Sequence, residues 1–152
     1  MYSIRPATLE DAGIIAGHRR QMFLDIGHDP QKLDEMTKAF GPWLESKIAA
    51  GEYLGWLAIA ADGSVAAGVG LWLMEWPLSL TSAEARRGRI INVYTEPAHR
   101  RQGLARLLMN AALDWCRANR VGVVMLQATE DGRRLYESLG FQPINEYRLV
   151  LD

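Results

Sequence analysis

One short segment of the chain combines arginines with small residues where a strand is followed by a helix. Arg100 and Arg101 precede Gly103 and Ala105, and a run rich in β-branched residues ends shortly before them at Thr95. The amides of a helix's first turn have no intrahelical acceptors, and the helix dipole adds positive potential there. Glycine and alanine let a phosphate approach that backbone closely. The segment therefore predicts an anion site suited to a phosphate group.

The charge around this segment differs from that of the whole chain. Residues 84–106 contain six arginines and two glutamates, a local charge of +4, whereas the 152 residues together carry a net charge of −1. A near-neutral chain lacks the field that holds a long polyanion, so we expect no nucleic-acid partner. A local positive excess suits a small ligand with a few phosphates. A solvated arginine-rich surface is the alternative, and the short pattern alone does not separate the two.

Several other kinds of site find no support in the sequence. There is no G-x-x-x-x-G-K-S/T motif and no G-x-G-x-x-G after a strand, which disfavours P-loop NTPases and dinucleotide-binding dehydrogenases. The single cysteine, Cys116, and three scattered histidines give no metal-ligand spacing, so we expect no metal. The first residues do not resemble a secretory signal, and no apolar run approaches the ~20 residues of a membrane span. We expect a cytoplasmic protein with no membrane partner.

The hydrophobic patterning predicts one α/β domain over residues 1–152. The expected strands are 2–5, 53–61, 65–74, 89–95, 121–127 and 147–151, and the expected helices are 14–23, 33–48, one starting near 103, and 132–139. The helix after Gly103 is expected to bury Leu104, Leu107, Leu108, Ala111 and Trp115. Two strands followed by a strand–helix–strand unit favour a mixed sheet with one parallel crossover.

Glycine and proline mark expected irregularities between and within these elements. Gly41-Pro42 predicts a boundary or kink inside the second helix. Asp62-Gly63 predicts a hairpin turn. Gly68 and Gly70 predict bulges or the close approach of another group to their strand. Residues 79–88 are expected to form a loop or an irregular edge.

Two blocks of the sequence resemble the signature of the GNAT superfamily of N-acetyltransferases. Arg100-Arg101-Gln102-Gly103-Leu104-Ala105 resembles its Q/R-x-x-G-x-G/A motif, and residues 135–141, Leu-Tyr-Glu-Ser-Leu-Gly-Phe, resemble its L-Y-E-x-L-G-F block. The blocks stand in the expected order and lie within roughly the carboxy-terminal third of the chain. The resemblance implies the fold of that family, a mixed and mostly antiparallel central sheet of the α/β (α+β) class, flanked by helices, with one parallel crossover.

The resemblance also implies acetyl-CoA as cosubstrate and roles for particular residues. The central strand would contact the acetyl-pantetheine arm through its backbone, and amides from Arg101 to Arg106 would hold the pyrophosphate. The implied cofactor-binding residues are Val93, Tyr94, Thr95, Arg100, Arg101, Gln102, Gly103, Leu104, Ala105, Arg106 and Thr129. Tyr136 would donate a proton to the leaving thiolate, which ordinary pKa values of about 10 and 8.5 permit. Thr129 and Gly132 stand where the family often has Asn and Ala.

The acceptor side of the site is less defined by the sequence. The strand 89–95 contains no acid, so a general base would come from elsewhere. Glu75, Glu84 and Glu96 are candidates, but each is better explained as a solvated surface residue, because glutamate is rarely buried unless it is paired. Candidate residues for an acceptor pocket are Asp25, His28, Trp72 and Trp76.

The predicted function is acetyl-CoA-dependent N-acetylation of a small-molecule or peptide amine by direct attack on the thioester. The alternative is a non-catalytic coenzyme A-binding sensor or interaction module of the same fold. The sequence leaves the acceptor and the oligomeric state open, and exposed edge strands and additional tryptophans are compatible with a homodimer.

Overall fold

The computed structural model describes residues 1–152 and contains one five-stranded sheet with flanking helices. The strands are β1 (Ser3–Pro6), β2 (Tyr53–Ile59), β3 (Val65–Glu75), β4 (Arg86–Thr95) and β5 (Val121–Leu126), and the helices are α1 (Ala12–Asp25), α2 (Pro30–Ala49), α3 (Leu104–Ala118) and α4 (Arg133–Ser138). Short 3-10 helices cover Leu9–Asp11 and Pro97–His99. The sheet order follows the chain, β1 to β4 pair antiparallel, and β4 and β5 pair in parallel. The predicted fold class is confirmed.

The two faces of the sheet pack against different helices. On one face the larger core joins alternate residues of β2, β3 and β4, such as Trp56, Leu71 and Ile90, to the buried side of α3. On the other face Tyr53 packs with α1 and α2 in a smaller cluster. Because strand side chains alternate between faces, each strand contributes to both layers. None of the helices combines the length and hydropathy that crossing a bilayer requires.

A bulge in β4 bends the central strand. Gly68 of β3 pairs with Tyr94, whereas Gly70 pairs with Ile91, so β4 holds one extra residue in this interval. Asn92 lies there with φ of 59°, a left-handed conformation that asparagine tolerates better than most residues. Pairing with β5 ends on the same stretch, at Ile90 and Leu126. Beyond that point β4 has no partner on its outer edge.

Gly68 and Gly70 leave room for two side chains that cross the sheet surface. A Cβ atom at Gly70 would overlap the hydroxyl of Tyr53, and one at Gly68 would lie 3.2 Å from Nδ1 of His18. Both side chains approach from the α1–α2 face, where they are buried. The predicted close approach at these glycines is confirmed.

The expected break in the second helix is wrong. Helix α2 runs without interruption through Gly41 and Pro42. Pro42 has no amide hydrogen to donate to the carbonyl of Lys38. Because Pro42 and Lys38 are both exposed, water can donate a hydrogen bond to that carbonyl instead. The lost hydrogen bond is therefore not a buried one.

Two other predicted boundaries or faces differ from the structure. Strand β4 begins at Arg86, three residues earlier than expected, because Arg86–Gly88 pairs with β3 and with β5. The buried face of helix α3 is rotated from the predicted one by about one residue position, so that Leu107 is exposed. The buried residues are Leu104, Leu108, Met109, Ala112, Leu113 and Cys116. The buried face differs because α3 packs chiefly against β3 and β2, where Met109 joins the core. Leu113 lines a groove beside β5.

The predicted final strand over 147–151 is absent. Residues 141–152 form no regular structure, and a groove of about 1290 Å³ separates their first part from β5. Tyr147, Leu149 and Leu151 are exposed. The period-2 pattern is present, but the segment makes no backbone pairing with β5, which is half-buried rather than buried. An alternating pattern identifies residues able to form a strand without supplying the partner.

Asp11 ties β1 to the start of the first helical layer. Its carboxylate accepts two hydrogen bonds from Arg5, at 2.8 and 2.9 Å, and one from the amide of Thr8 at 2.7 Å. The Arg5 guanidinium, with Thr8, lowers the Asp11 pKa from 3.8 to about 2. Thr8 and Asp11 thus form a capping box at the start of the first helical segment.

We expect Gly70→Ala to lower the free energy of unfolding by about 1–3 kcal/mol, because the added methyl group displaces Tyr53. Gly13→Ala is the matched control, since its Cβ would meet nothing at this exposed position of helix α1, and it should stabilise the protein by about 0.4–1 kcal/mol. Urea unfolding measures both. Equal effects of the two substitutions would contradict the assignment of Gly70 to a close approach.

We expect Asp11→Asn to lower the free energy of unfolding at pH 7 by about 1–2 kcal/mol through loss of charged hydrogen bonds. Because the folded-state pKa of Asp11 is depressed, its stabilisation is complete above pH 3.8 and disappears as the pH falls through about 2. The difference between wild type and variant should therefore shrink over that interval in urea unfolding. Asp34→Asn, at an exposed ion pair with Arg20, serves as control. A difference independent of pH would contradict this account.

Candidate active site

The open edge of β4 is the first part of the site. Past Ile90 no residue of β5 pairs with it, and Val93 and Thr95 lie half-buried along this edge. Tyr94, between them, turns its ring to the opposite face and is buried against His18, with ring centroids 5.1 Å apart. The edge can therefore offer Val93 and Thr95 as backbone partners to an extended, amide-containing ligand.

The loop between β4 and α3 is the second part. Arg101 has φ of 61° and Gly103 has φ of 75°, and α3 begins at Leu104. The amides of Arg101, Gln102 and Gly103 donate no backbone hydrogen bond. The first-turn amides of α3, which include Ala105 and Arg106, also lack intrahelical acceptors. Consecutive free amides at a helix start form a concavity for anions, reinforced by the dipole of a 15-residue helix.

The loop's side chains are mostly used to hold it in place. Arg100 donates to the Thr95 carbonyl at 3.0 Å and to Asp25 of α1 at 3.1 Å. Arg106 donates to Ser138 of α4 at 2.8 Å. The exposed Arg101 makes neither an ion pair nor a hydrogen bond through its side chain. The backbone amides and Arg101 are thus the groups left for an anion, while Arg100 and Arg106 position the loop.

The first strand also contacts this loop. The hydroxyl of Tyr2 lies 2.8 Å from Nδ1 of His99 and donates to Gln102 at 3.1 Å. The ring of His99 stands edge-on to that of Tyr2, with centroids 5.6 Å apart. Gln102 is therefore an anchored residue whose side chain faces the protein.

Tyr136 lies on α4 beside the end of β5. Its ring is half-buried against Phe141, with centroids 6.1 Å apart, and Gly132 leaves room for its edge. It lines the same groove as Leu126 and Gln127, where β5 stops pairing with β4. Burial raises the pKa of the Tyr136 hydroxyl, so this group is protonated at neutral pH and is a proton donor rather than a base.

Thr129 organises the turn before α4. Its hydroxyl oxygen accepts from the amide of Gly132 at 3.3 Å, and its carbonyl accepts from Gly132 and Arg133 at 3.1 Å. The hydroxyl hydrogen remains available to an outside acceptor. These contacts explain how threonine can occupy a position where the GNAT superfamily, which the sequence resembles, often has asparagine. Both side chains can accept a hydrogen bond from a backbone amide.

The three candidate bases lie in different surroundings. Glu75 is exposed at the end of β3, and Glu84 lies 3.7 Å from the Arg120 guanidinium. Glu96 lies 3.6 Å from Nε2 of buried His18. Burial lowers the pKa of His18 although Glu96 opposes the shift, so the imidazole is neutral at pH 7. Only Glu96 thus combines with a second titratable group.

A buried polar cluster at the β4 bulge was not expected from the sequence. The Asn92 amide donates to the hydroxyl of Tyr53 at 3.1 Å, and its oxygen accepts from Nη1 of Arg19 at 2.9 Å. Burial raises the pKa of Tyr53 to about 12, so it stays protonated. The available signal was an asparagine within a strand of β-branched residues, together with an arginine between the apolar residues of α1.

The candidate acceptor-pocket residues fall into different places. Trp72 stands edge-on to Trp43 of α2, with centroids 5.3 Å apart, on the face that holds the polar cluster. Trp76 instead packs under the Arg87 guanidinium, 4.7 Å away, beyond the end of β3. Asp25 pairs with Arg100, and His28 packs on Phe23 at 5.4 Å. Trp72, Asp25 and His28 therefore surround the α1–α2 side of the site, and Trp76 does not.

The structure contains no group of side chains suited to binding a metal ion and no accessible cysteine for thiol catalysis. No group of three or more His, Cys, Asp or Glu side chains is arranged to hold a metal ion. Cys116 is buried in α3, and burial raises its pKa to about 11, so it is a core residue rather than a nucleophile.

Comparison with known proteins agrees with this geometry. The model of the acetyltransferase (GNAT) family matches residues 19–141. The chain is similar to the GCN5-related N-acetyltransferase from Ralstonia eutropha JMP134, at 33% identity over 99% of each chain and a TM-score of 0.93. It shares the fold of a predicted acetyltransferase from Clostridium acetobutylicum, solved with acetyl-CoA, at 24% identity over 99% of this chain and 96% of that one, with a TM-score of 0.89. It also shares the fold of the ribosomal-protein-alanine N-acetyltransferase from Brucella melitensis biovar Abortus 2308, at 18% identity over 100% and 99% of the two chains and a TM-score of 0.72.

A search of curated protein sequences gives no match. The matched family model covers most of the chain, and the Ralstonia protein is related over its full length. The chain therefore belongs to the GNAT family of acetyltransferases and is an acyltransferase.

Proposed function

We propose that residues 1–152 form one acetyltransferase domain that transfers the acetyl group of acetyl-CoA to an amine. The observation that supports this best is the position of the free amides of Arg101 to Gly103 directly beyond the unpaired edge of β4. A phosphate-binding loop and a backbone edge in line suit a ligand with a pyrophosphate at one end and amide groups along its arm. Acetyl-CoA has both.

The residues present fit that cosubstrate. Amides from Arg101 to Arg106 would hold the pyrophosphate, and the exposed Arg101 side chain adds a positive charge at its rim. Val93, Thr95 and the intervening Tyr94 would supply the backbone along which the pantetheine arm lies. Thr129, at the start of α4, keeps a hydroxyl hydrogen for the far side of the arm.

The chemistry at the end of this arm needs three groups. Acetyl-CoA supplies a thioester, whose carbonyl carbon the neutral amine attacks. The C–N bond forms as the C–S bond breaks, and the nitrogen loses one proton to water, from which Tyr136 is reprotonated. A backbone amide of β4 near the bulge would stabilise the developing oxyanion. Tyr136, whose hydroxyl is protonated at neutral pH, would give its proton to the sulfur, and its position in the groove at the end of β5 supports this role.

The acceptor amine would enter on the α1–α2 side. Asn92 lies in the bulge with its side chain bonded on that face, and α1 and α2 there cover the bulge with Arg19, Phe40 and Trp43. No carboxylate hydrogen-bonds to this cluster, so the amine is expected to attack from its own neutral fraction. The most favourable candidate base, Glu96 with His18, lies along the strand past Tyr94.

Release of free thiol from acetyl-CoA, in the presence of a panel of primary amines, tests the function. We expect release above background with at least one amine and formation of the corresponding acetamide by mass spectrometry. Saturable acetyl-CoA binding by calorimetry without thiol release from any amine would contradict catalysis and leave a binding module of the same fold.

We expect Tyr136→Phe to lower kcat by about 10²–10⁴-fold, because it removes the proton donor to the thiolate. The KM for acetyl-CoA should change little, since the ring remains packed on Phe141. Tyr147→Phe, in the exposed segment after α4, is the matched control and should retain full turnover. Equal turnover of Tyr136→Phe and wild type would overturn the role of Tyr136.

A further inference from the structure

Arg19 is a charged side chain enclosed by aromatic rings with no acidic partner. Its guanidinium carbon lies 5.1 Å from the centre of the Phe23 ring and 4.8 Å from that of Phe40. No carboxylate forms an ion pair with it, because nearby Asp25 pairs with Arg100 and Asp34 with Arg20. An arginine cannot lose its proton in a protein, so a charge stays in this apolar setting.

The hydrogen bonds of Arg19 leave one edge of the guanidinium unused. Nη1 donates to Asn92, and Nε is buried without any partner, the one such side-chain atom in the structure. Nη2 makes no hydrogen bond either. Nε and Nη2 form the fork that binds a carboxylate through two parallel hydrogen bonds. A buried donor without an acceptor is unfavourable, and such a group in a native structure calls for a ligand or another explanation.

The position of this fork relates it to the reacting centre. Asn92, which Arg19 contacts, precedes Val93 on the edge of β4 proposed to carry the acetyl-pantetheine arm. Beyond Phe40, the rings of Trp43 and Trp72 continue the apolar surface, with successive centroids 5.6 and 5.3 Å apart. On one side of the bulge, the Arg19 guanidinium thus lies close both to an apolar surface of aromatic rings and to the edge of β4 proposed to carry the acyl group.

We propose that the acetyl acceptor is an amine that also bears a carboxylate, which the Nε–Nη2 edge of Arg19 binds, and an apolar group that packs on Phe40 and Trp43. The inference rests on the proposed acetyltransferase function. A carboxylate is favoured over a phosphate because a single guanidinium balances one negative charge, and the neighbouring Arg20 and Arg100 are already paired. Asn92 fixes the direction of the fork by holding Nη1.

Matched acceptors test the charge requirement. Phenylalanine, phenethylamine and 1-amino-2-phenylethylphosphonate share an amine and a ring and differ in the anionic group. We expect kcat/KM from thiol release to be highest for phenylalanine, by about 10–100-fold over phenethylamine, the range of charged hydrogen bonds. Arg19→Gln should lower kcat/KM for phenylalanine much more than for phenethylamine, so that the preference for the carboxylate is lost. The Arg20→Gln variant, altered at the exposed neighbouring arginine, should keep the preference.

A binding measurement separates this inference from the proposed function. In the presence of coenzyme A, 3-phenylpropionate should bind the wild type in calorimetry, and Arg19→Gln should lose that binding while retaining affinity for coenzyme A, which shows that the variant is folded. Arg19→Lys keeps the charge without the fork and should bind 3-phenylpropionate more weakly than wild type. Arg19-dependent binding without acetylation of any amine would support the carboxylate site and contradict the enzyme function.

Other outcomes would overturn the inference itself. Acetylation of phenethylamine and phenylalanine with equal kcat/KM would leave the acetyltransferase function standing and remove the carboxylate site. Preference for the phosphonate would identify a dianion as the ligand and contradict the assignment of a carboxylate. Binding of 3-phenylpropionate that survives Arg19→Gln would place the anion elsewhere.

Discussion

The two hydrogen bonds of the Asn92 side chain join the parts of the molecule on which the site depends. One holds Tyr53 of β2 and the other holds Arg19 of α1, at 3.1 and 2.9 Å, and the residue itself sits in the bulge of β4. The bulge ends the pairing of β4 with β5, so the opening that accepts a ligand is fixed to the helical layer above it. A buried amide with both ends bonded specifies one geometry, since partial satisfaction would be costly.

The two halves of the site use different chemistry. In the proposed site, backbone amides at Arg101 to Gly103 would hold the cosubstrate, and their directions follow from the left-handed conformations of that loop and not from side-chain identity. The proposed acceptor side would instead use side chains from α1 and α2, such as Arg19 and Phe40. Backbone recognition tolerates changes around it, whereas side-chain recognition changes with each substitution. This difference is consistent with neighbours of one fold, at 18–33% identity, that carry the names of different acetyltransferases.

Sequence reasoning reached the fold class, and its proposal for the cosubstrate side could be made at all, because the signals for both are local. The run before Thr95, Gly103 and the block around Tyr136 each lie within a few residues, and the strand–loop–helix order followed from them. The acceptor cluster is formed by Arg19, Tyr53 and Asn92, which are 34 and 39 positions apart along the chain. The predictions of a helix boundary at Pro42 and of a strand over 147–151 were wrong for a related reason. The exposure of a helix face and the absence of a pairing strand both depend on tertiary structure.

The contact of Tyr2 with His99 and Gln102 links positions about one hundred residues apart in the chain, and it lies at the loop between β4 and α3 whose free amides could bind an anion. The sheet itself assembles mainly from strands adjacent in the chain, whose loops close at low entropic cost. The hydrogen bonds of Tyr2, in contrast, join this loop to the residue before β1, so they require β1 to be docked on β2. Strands β2 to β4 can keep their own pairing when β1 is undocked, but the ligand-binding loop then loses one of its anchors and retains those through Arg100 and Arg106.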